Sequence, residues 1–229
     1  TGLGRELLIA TMFGASALTD AFNVAFRIPN LFRRLFAEGA FSQAFVPVLA
    51  ASRETEGDEA TRRLIGHVAT LLFFVLVLTC ILGVLGAPVL VWALASGLDQ
   101  TGGGHGAAVA MTRIMFPYIG FMSLVALAAG ILNTWGRFAV PAGAPVLLNI
   151  SMMGVAWWAH PWFEAMAWPP IYALAAGVML GGVLQLSLMV WALKRLGLHP
   201  WPALRPEGLR SAWADAGCQR ILTLMAPAM

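Results

Sequence analysis

The chain has 229 residues, of which 59% are hydrophobic and 11% charged, and a formal charge of +3 from thirteen Arg and one Lys against eleven acids. A soluble domain carries about a quarter charged residues, and it cannot hide several separate apolar runs of twenty or more, so lipid is the expected solvent and a soluble single domain is excluded. The cationic excess is too small to indicate nucleic acid as a partner, and Cys80 and Cys218 show neither metal spacing nor a disulfide framework.

About 20 apolar residues cross the roughly 30 Å of hydrocarbon in a bilayer. By that measure spans are predicted near 3–18, 20–50, 64–95, 114–134, 138–159 and 170–193, with a seventh beginning near 217. The fold class is therefore all-α, a polytopic transmembrane helix bundle. Three regions are expected: a membrane lobe over 1–193, a cytoplasmic amphipathic linker over 194–216, and the start of a seventh helix over 217–229. An apolar run begins almost at Thr1, and the last residues, Leu224 to Met229, stop in mid-run, so both ends are expected to be incomplete.

The first predicted helix carries Arg5 and Glu6. The second carries Asp20, Asn23, Arg27, Asn30, Arg33, Arg34, Glu38 and Ser42 at steps of three or four, with Arg33 and Arg34 straddling the line, which makes one polar stripe on an apolar helix. Pro29 makes the phase across the stripe approximate. One charge at the bilayer centre costs about 2.5–3.5 kcal/mol, so three facing lipid would approach the whole stability of a domain. The stripe must face protein or water. Two readings stay open: internal ion pairs, such as Asp20 with Arg27 or Arg34 with Glu38, and a hydrated cavity whose arginines receive an anionic substrate. Arginine suits the second, because its planar fork makes paired bonds to phosphate oxygens and its charge does not titrate away.

The third run exceeds one crossing and is expected to tilt, bend near Pro88 or project from the membrane. Connections near 51–63, 135–137 and 194–216 hold Arg53, Arg62, Arg63, Arg137, Lys194, Arg195, Arg205 and Arg210, whereas those near 96–112 and 160–169 hold no Lys or Arg. That asymmetry puts the basic connections in the cytoplasm. Trp92, Trp135, Trp157, Trp158, Trp162, Trp168 and Trp191 fall near predicted span ends and fit interface anchors as well as core packing. Gly102 to Gly104 reads as a flexible outer loop, not a phosphate loop, since no strand precedes it. Pro206 is predicted to open a short interfacial helix with Leu209, Ala212, Trp213 and Ala216 on one face. His67, His105, His160 and His199 lie far apart in sequence with no carboxylate at ligand spacing, and no nucleophile has a neighbouring base. Neither catalysis nor a metal or cofactor is indicated.

Several runs have a family look: Thr19-Asp20-Ala21-Phe22, the stretch from Ile28 through Arg33, Arg34 and Glu38 to Pro47, Phe116-Pro117-Tyr118, Ile131-Leu132-Asn133-Thr134-Trp135, Pro145 through Asn149, and Gly181 through Gln185. Together they resemble the signature of the MurJ (MviN) family of lipid II flippases. The resemblance implies the N-terminal lobe of a two-lobed, MATE-like exporter of the multidrug/oligosaccharidyl-lipid/polysaccharide (MOP) superfamily in the bacterial cytoplasmic membrane. It implies as cargo the undecaprenyl-diphosphate-linked disaccharide-pentapeptide, lipid II, moved by alternating access, with membrane lipid and cell-wall synthesis proteins as partners. Positions matching Arg5, Asp20 and Arg33 belong to the family's required charged set, Glu38 matches a further cavity acid, and Arg34 and Arg27 match basic positions of lower rank. Glu6 stands where Asp is common, a cavity arginine is expected two residues before Thr1, and its second-lobe counterpart and a cation site lie beyond Met229. The alternatives are an exporter of another polyprenyl-linked glycan or an amphiphilic drug, and a non-transporting scaffold. A drug-cation exporter should have an acid-dominated cavity, and a scaffold needs no charged stripe at membrane depth.

Overall fold

A computed structural model describes residues 2–14, 16–33, 40–95, 104–166, 168–198, 202–203 and 206–225. They form ten helices: α1 (Gly2–Phe13), α2 (Ala17–Arg33), α3 (Ala40–Thr55), α4 (Gly57–Leu94), α5 (Gly104–Met115), α6 (Tyr118–Thr134), α7 (Ala139–Ala165), α8 (Tyr172–Arg195), α9 (Pro206–Ala214) and α10 (Ala216–Met225). No strand occurs among the described residues. The chain forms two compact units, the first from Thr1–Phe32, Thr79–Phe121 and Gly143–Gln185, the second from Arg33–Leu78, Met122–Ala142 and Leu186–Met229.

Four described stretches are long and apolar enough to cross a membrane: Gly57–Leu94, Gly104–Thr134, Ala139–Ala159 and Tyr172–Arg195. The predicted second span corresponds to α2 and α3, with 34–39 outside the described residues. The fourth starts ten residues earlier than its apolar run suggests, because α5 opens at Gly104. Its first residues are Gly, His and Ala, which lower local hydropathy without breaking a helix. This span is interrupted at Phe116-Pro117: Pro117 offers no N–H to the preceding turn, and the chain restarts through Ile119 N–H to Phe116 O (3.1 Å) and Gly120 N–H to Pro117 O (3.0 Å). Helix α4 instead runs unbroken through Pro88 for 38 residues, about 57 Å at 1.5 Å per residue, so it accommodates its length by projecting or tilting.

Along α4, Val75, Leu78, Leu82, Leu85, Val89 and Trp92 are all exposed. Their spacing of three and four makes one continuous apolar stripe. In water such a patch would be costly; it suits an apolar surrounding, as a membrane-crossing helix has.

In the first unit α8 packs closely on α7. A Cβ added at Gly181 would lie 2.6 Å from Ser151 Oγ and 3.1 Å from Leu148 Cα, and one at Gly177 would lie 2.8 Å from Met152 Cα. This is the small-xxx-small contact of membrane helices. Ser151 Oγ donates to Gly177 O (2.9 Å) and Gln185 Nε2 to Ala144 O (2.9 Å), which ties the two backbones together.

In the second unit α6 ends in a left-handed glycine cap. Gly136 has φ 70°, the Gly136 amide donates to Asn133 O (2.9 Å) and the Arg137 amide to Leu132 O (2.8 Å), the paired bonds of a Schellman end. Arg53 of α3 covers that end: its Nη1 donates to Thr134 O (2.8 Å) and its guanidinium stacks 4.4 Å above the Trp135 ring. Trp135 and Trp191 thus each carry an arginine, the second being Arg195 at 4.0 Å. Trp157, Trp158, Trp162 and Trp168 are exposed, as interface anchors would be.

Candidate functional site

Helices α1 and α2 meet around a cavity of about 450 Å³ in the first unit, lined by Arg5, Glu6, Thr19, Asp20, Asn23 and Phe26 among others. The local sequence builds this corner. Gly14 takes φ 59° to end α1, and Ser16 caps α2, its Oγ accepting from the Thr19 amide (3.2 Å) and meeting Thr19 Oγ1 at 3.0 Å. Asp20 then falls in the first turn of α2, where the helix dipole favours a carboxylate. On α1, Arg5 Nη2 lies 3.3 Å from Glu6 Oε1, with the Arg5 side chain 21% exposed and that of Glu6 72%. The Arg5 guanidinium also sits 6.0 Å from the Phe26 ring centre, and Phe26 is stacked on the buried Phe22 at 5.8 Å.

Of the six residues proposed from sequence, Arg5 and Asp20 line this cavity. Arg27 lies further along α2, exposed, and among the described residues it makes no ion pair with Asp20. Arg33 closes α2, with its side chain outside what the structure describes; Arg34 and Glu38 fall outside the described residues. Glu6 and Asn23, read from sequence as polar but left unranked, are cavity residues, as is Thr19. Phe22 and Phe26, at i, i+4 spacing, stack on each other, and Phe26 lies beneath Arg5.

A second contact was not foreseen. His67 Nδ1 lies 3.0 Å from Asp215 Oδ2, 148 residues away. Asp215 also caps α10 through its Oδ1, which accepts from the Cys218 amide at 3.0 Å. Burial pushes the Asp215 carboxyl up, but the Cys218 amide and the His67 ring outweigh it, and it is held below its ordinary value. No cluster of three His, Cys, Asp or Glu side chains suited to a metal occurs among the described residues.

Long apolar helices, an exposed apolar stripe along α4 and an interrupted span define a polytopic α-helical membrane protein, with a charged corner in its first unit. The family model described as lipid II flippase MurJ matches residues 9–229, and the chain belongs to that family. It is 50% identical over 228 residues to the lipid II flippase MurJ of Burkholderia cenocepacia, covering 100% of this chain and 43% of that protein. It is 40% identical over 235 residues to the probable lipid II flippase MurJ of Vibrio cholerae, with the same coverage of both. A solved structure of a lipid II flippase MurJ in an inward closed conformation superposes with a TM-score of 0.72 at 21% identity, over 98% of this chain and 44% of that one. The chain thus spans less than half the length of these relatives, and its fold is that of their helical bundle. It is a multi-pass protein of the bacterial inner membrane.

Proposed function

We propose that this chain forms the N-terminal lobe of a flippase that moves lipid II, the undecaprenyl-diphosphate-linked disaccharide-pentapeptide, across the inner membrane by alternating access, as a transporter and not an enzyme. The observation that carries the reading is the convergence of Arg5, Glu6, Asp20 and Asn23 on one cavity between α1 and α2. Such a cavity lowers the cost of bringing a charged headgroup through hydrocarbon while the polyprenyl tail stays in lipid. Arg5 supplies the fork for a diphosphate, and Glu6 keeps it compensated while the site is empty. Arg33, Arg34, Arg27 and Glu38 extend the same charged series along the chain, with Arg33 ranked beside Arg5. The names of the relatives support the substrate, and cell-wall synthesis proteins are the partners that substrate would bring.

The test is charge substitution in the intact protein. Arg5→Ala and Arg33→Ala should each abolish lipid II translocation in vesicles at normal protein level, and the Lys variants should recover only part of it, because the charge returns without the fork. Normal translocation by Arg5→Ala would make that arginine a structural partner of Glu6.

A further inference from the structure

A second cavity, of about 720 Å³, lies in the second unit between the end of α3, the first turns of α4 and the start of α10. The charge asymmetry assigns this end to the cytoplasm. Its titratable and charged lining is Glu56 from the turn between α3 and α4, Glu59, Arg63 and His67 from α4, and Asp215 and Arg220 at and within α10; α9, packed beside α10, contributes none. Glu56 accepts from Ser52 Oγ (3.1 Å) and Glu59 pairs loosely with Arg63 (3.6 Å). His67 and Asp215 make the polar contact that crosses the cavity from α4 to the start of α10, beside the apolar packing of Leu64 on Gly217.

We infer that His67 and Asp215 form a protonation-dependent latch that holds the start of α10 against α4. Asp215 faces both ways: Oδ1 fixes the first turn of α10 and Oδ2 fixes that turn to α4. An imidazole joins a carboxylate as a true ion pair only while protonated, and it is the ordinary side chain whose charge changes near neutral pH. Asp215, held below its usual range, stays ionised throughout, so any change near neutrality comes from the ring. A neutral ring can offer the ionised carboxylate at most one hydrogen bond, whereas a protonated ring adds the attraction of opposite charges to that bond. The latch therefore closes when the ring gains a proton and slackens when it loses one. The inference stands on this unit alone and does not depend on what the protein carries.

Cys218, the third residue of α10, is 2% exposed and bonded through its amide to Asp215, so it reports on the latch. The experiment measures alkylation of Cys218 by a small maleimide in the full-length protein with every other cysteine replaced, at about pH 6 and about pH 8. Dividing the rate in His67→Gln by that in wild type removes the pH dependence of alkylation that the two proteins share. The variant should react several-fold faster at about pH 6, on the order of threefold or more, and the ratio should fall toward one at about pH 8. Asp215→Asn keeps a capping side chain but removes the charge, so its rate relative to His67→Gln should not change with pH. A ratio of His67→Gln to wild type that is the same at both pH values, or an Asp215→Asn protein that behaves as wild type, overturns the latch.

Discussion

Arg53 is the residue whose contacts say most about how the basic end is held. It donates to the last carbonyl of α6, stacks on Trp135 and approaches Asp58 at 3.6 Å, so a single side chain satisfies an orphan helix carbonyl and joins α3 to α6. Its side chain is 38% exposed, which screens the charge but leaves the hydrogen bond and the stacking. Arg53→Met should destabilise the protein by about 1–2 kcal/mol, seen as a lowered unfolding midpoint in detergent, whereas Arg53→Lys should recover little because the planar face is lost. An unchanged midpoint in Arg53→Met would make the contact ornamental. From sequence this arginine was only one more basic connection. The Ile131 to Trp135 run was recognisable without its reason, which is that Thr134 and Trp135 receive an arginine 81 residues away. Local spacing shows neither this contact nor His67 with Asp215. Asp20 was legible because it opens a helical period that apolar neighbours make conspicuous, and Arg5 because it is a charge on an apolar helix at a position the family resemblance marks.

At the scale of elements, close approach between α7 and α8 depends on missing side chains. The Gly177 and Gly181 positions face backbone of α7 across distances that admit no Cβ without movement, whereas Gly154 on α7 has nothing within 4 Å. Gly181→Ala should therefore cost about 1–3 kcal/mol through overpacking, while Gly154→Ala should be neutral or stabilise by about 0.5–1 kcal/mol through helix propensity. Thermal unfolding of the two variants side by side checks this, and equal midpoints would mean that α8 rides on α7 without tight contact. Hydropathy located the long apolar helices well because length and greasiness are local properties. It misjudged boundaries where helix and apolar run differ: α4 begins at Gly57 with charged turns before its apolar stretch, and α7 continues through Pro161 to Ala165.

For the molecule as a whole, orientation rests on charges that several long-range contacts bring together independently. Arg53 reaches Thr134, His67 reaches Asp215, and Thr70 Oγ1 accepts from the Ala203 amide at 3.0 Å. Each contact joins stretches that the positive-inside pattern puts on one face, so the second unit is consistent with a single basic side. If that side is cytoplasmic, cysteines replacing the exposed Glu56 and Glu207 should be protected from an impermeant thiol reagent in intact cells. Cysteines replacing the exposed Gly106 and Met166, near the ends that lack Lys and Arg in their connections, should react. The background must lack Cys80 and Cys218, and permeabilising the cells should expose the first pair. The reversed pattern would turn the bundle over, and with it the side on which the His67–Asp215 latch senses protons; equal labelling of all four in sealed cells would show that the helices between them do not cross the bilayer.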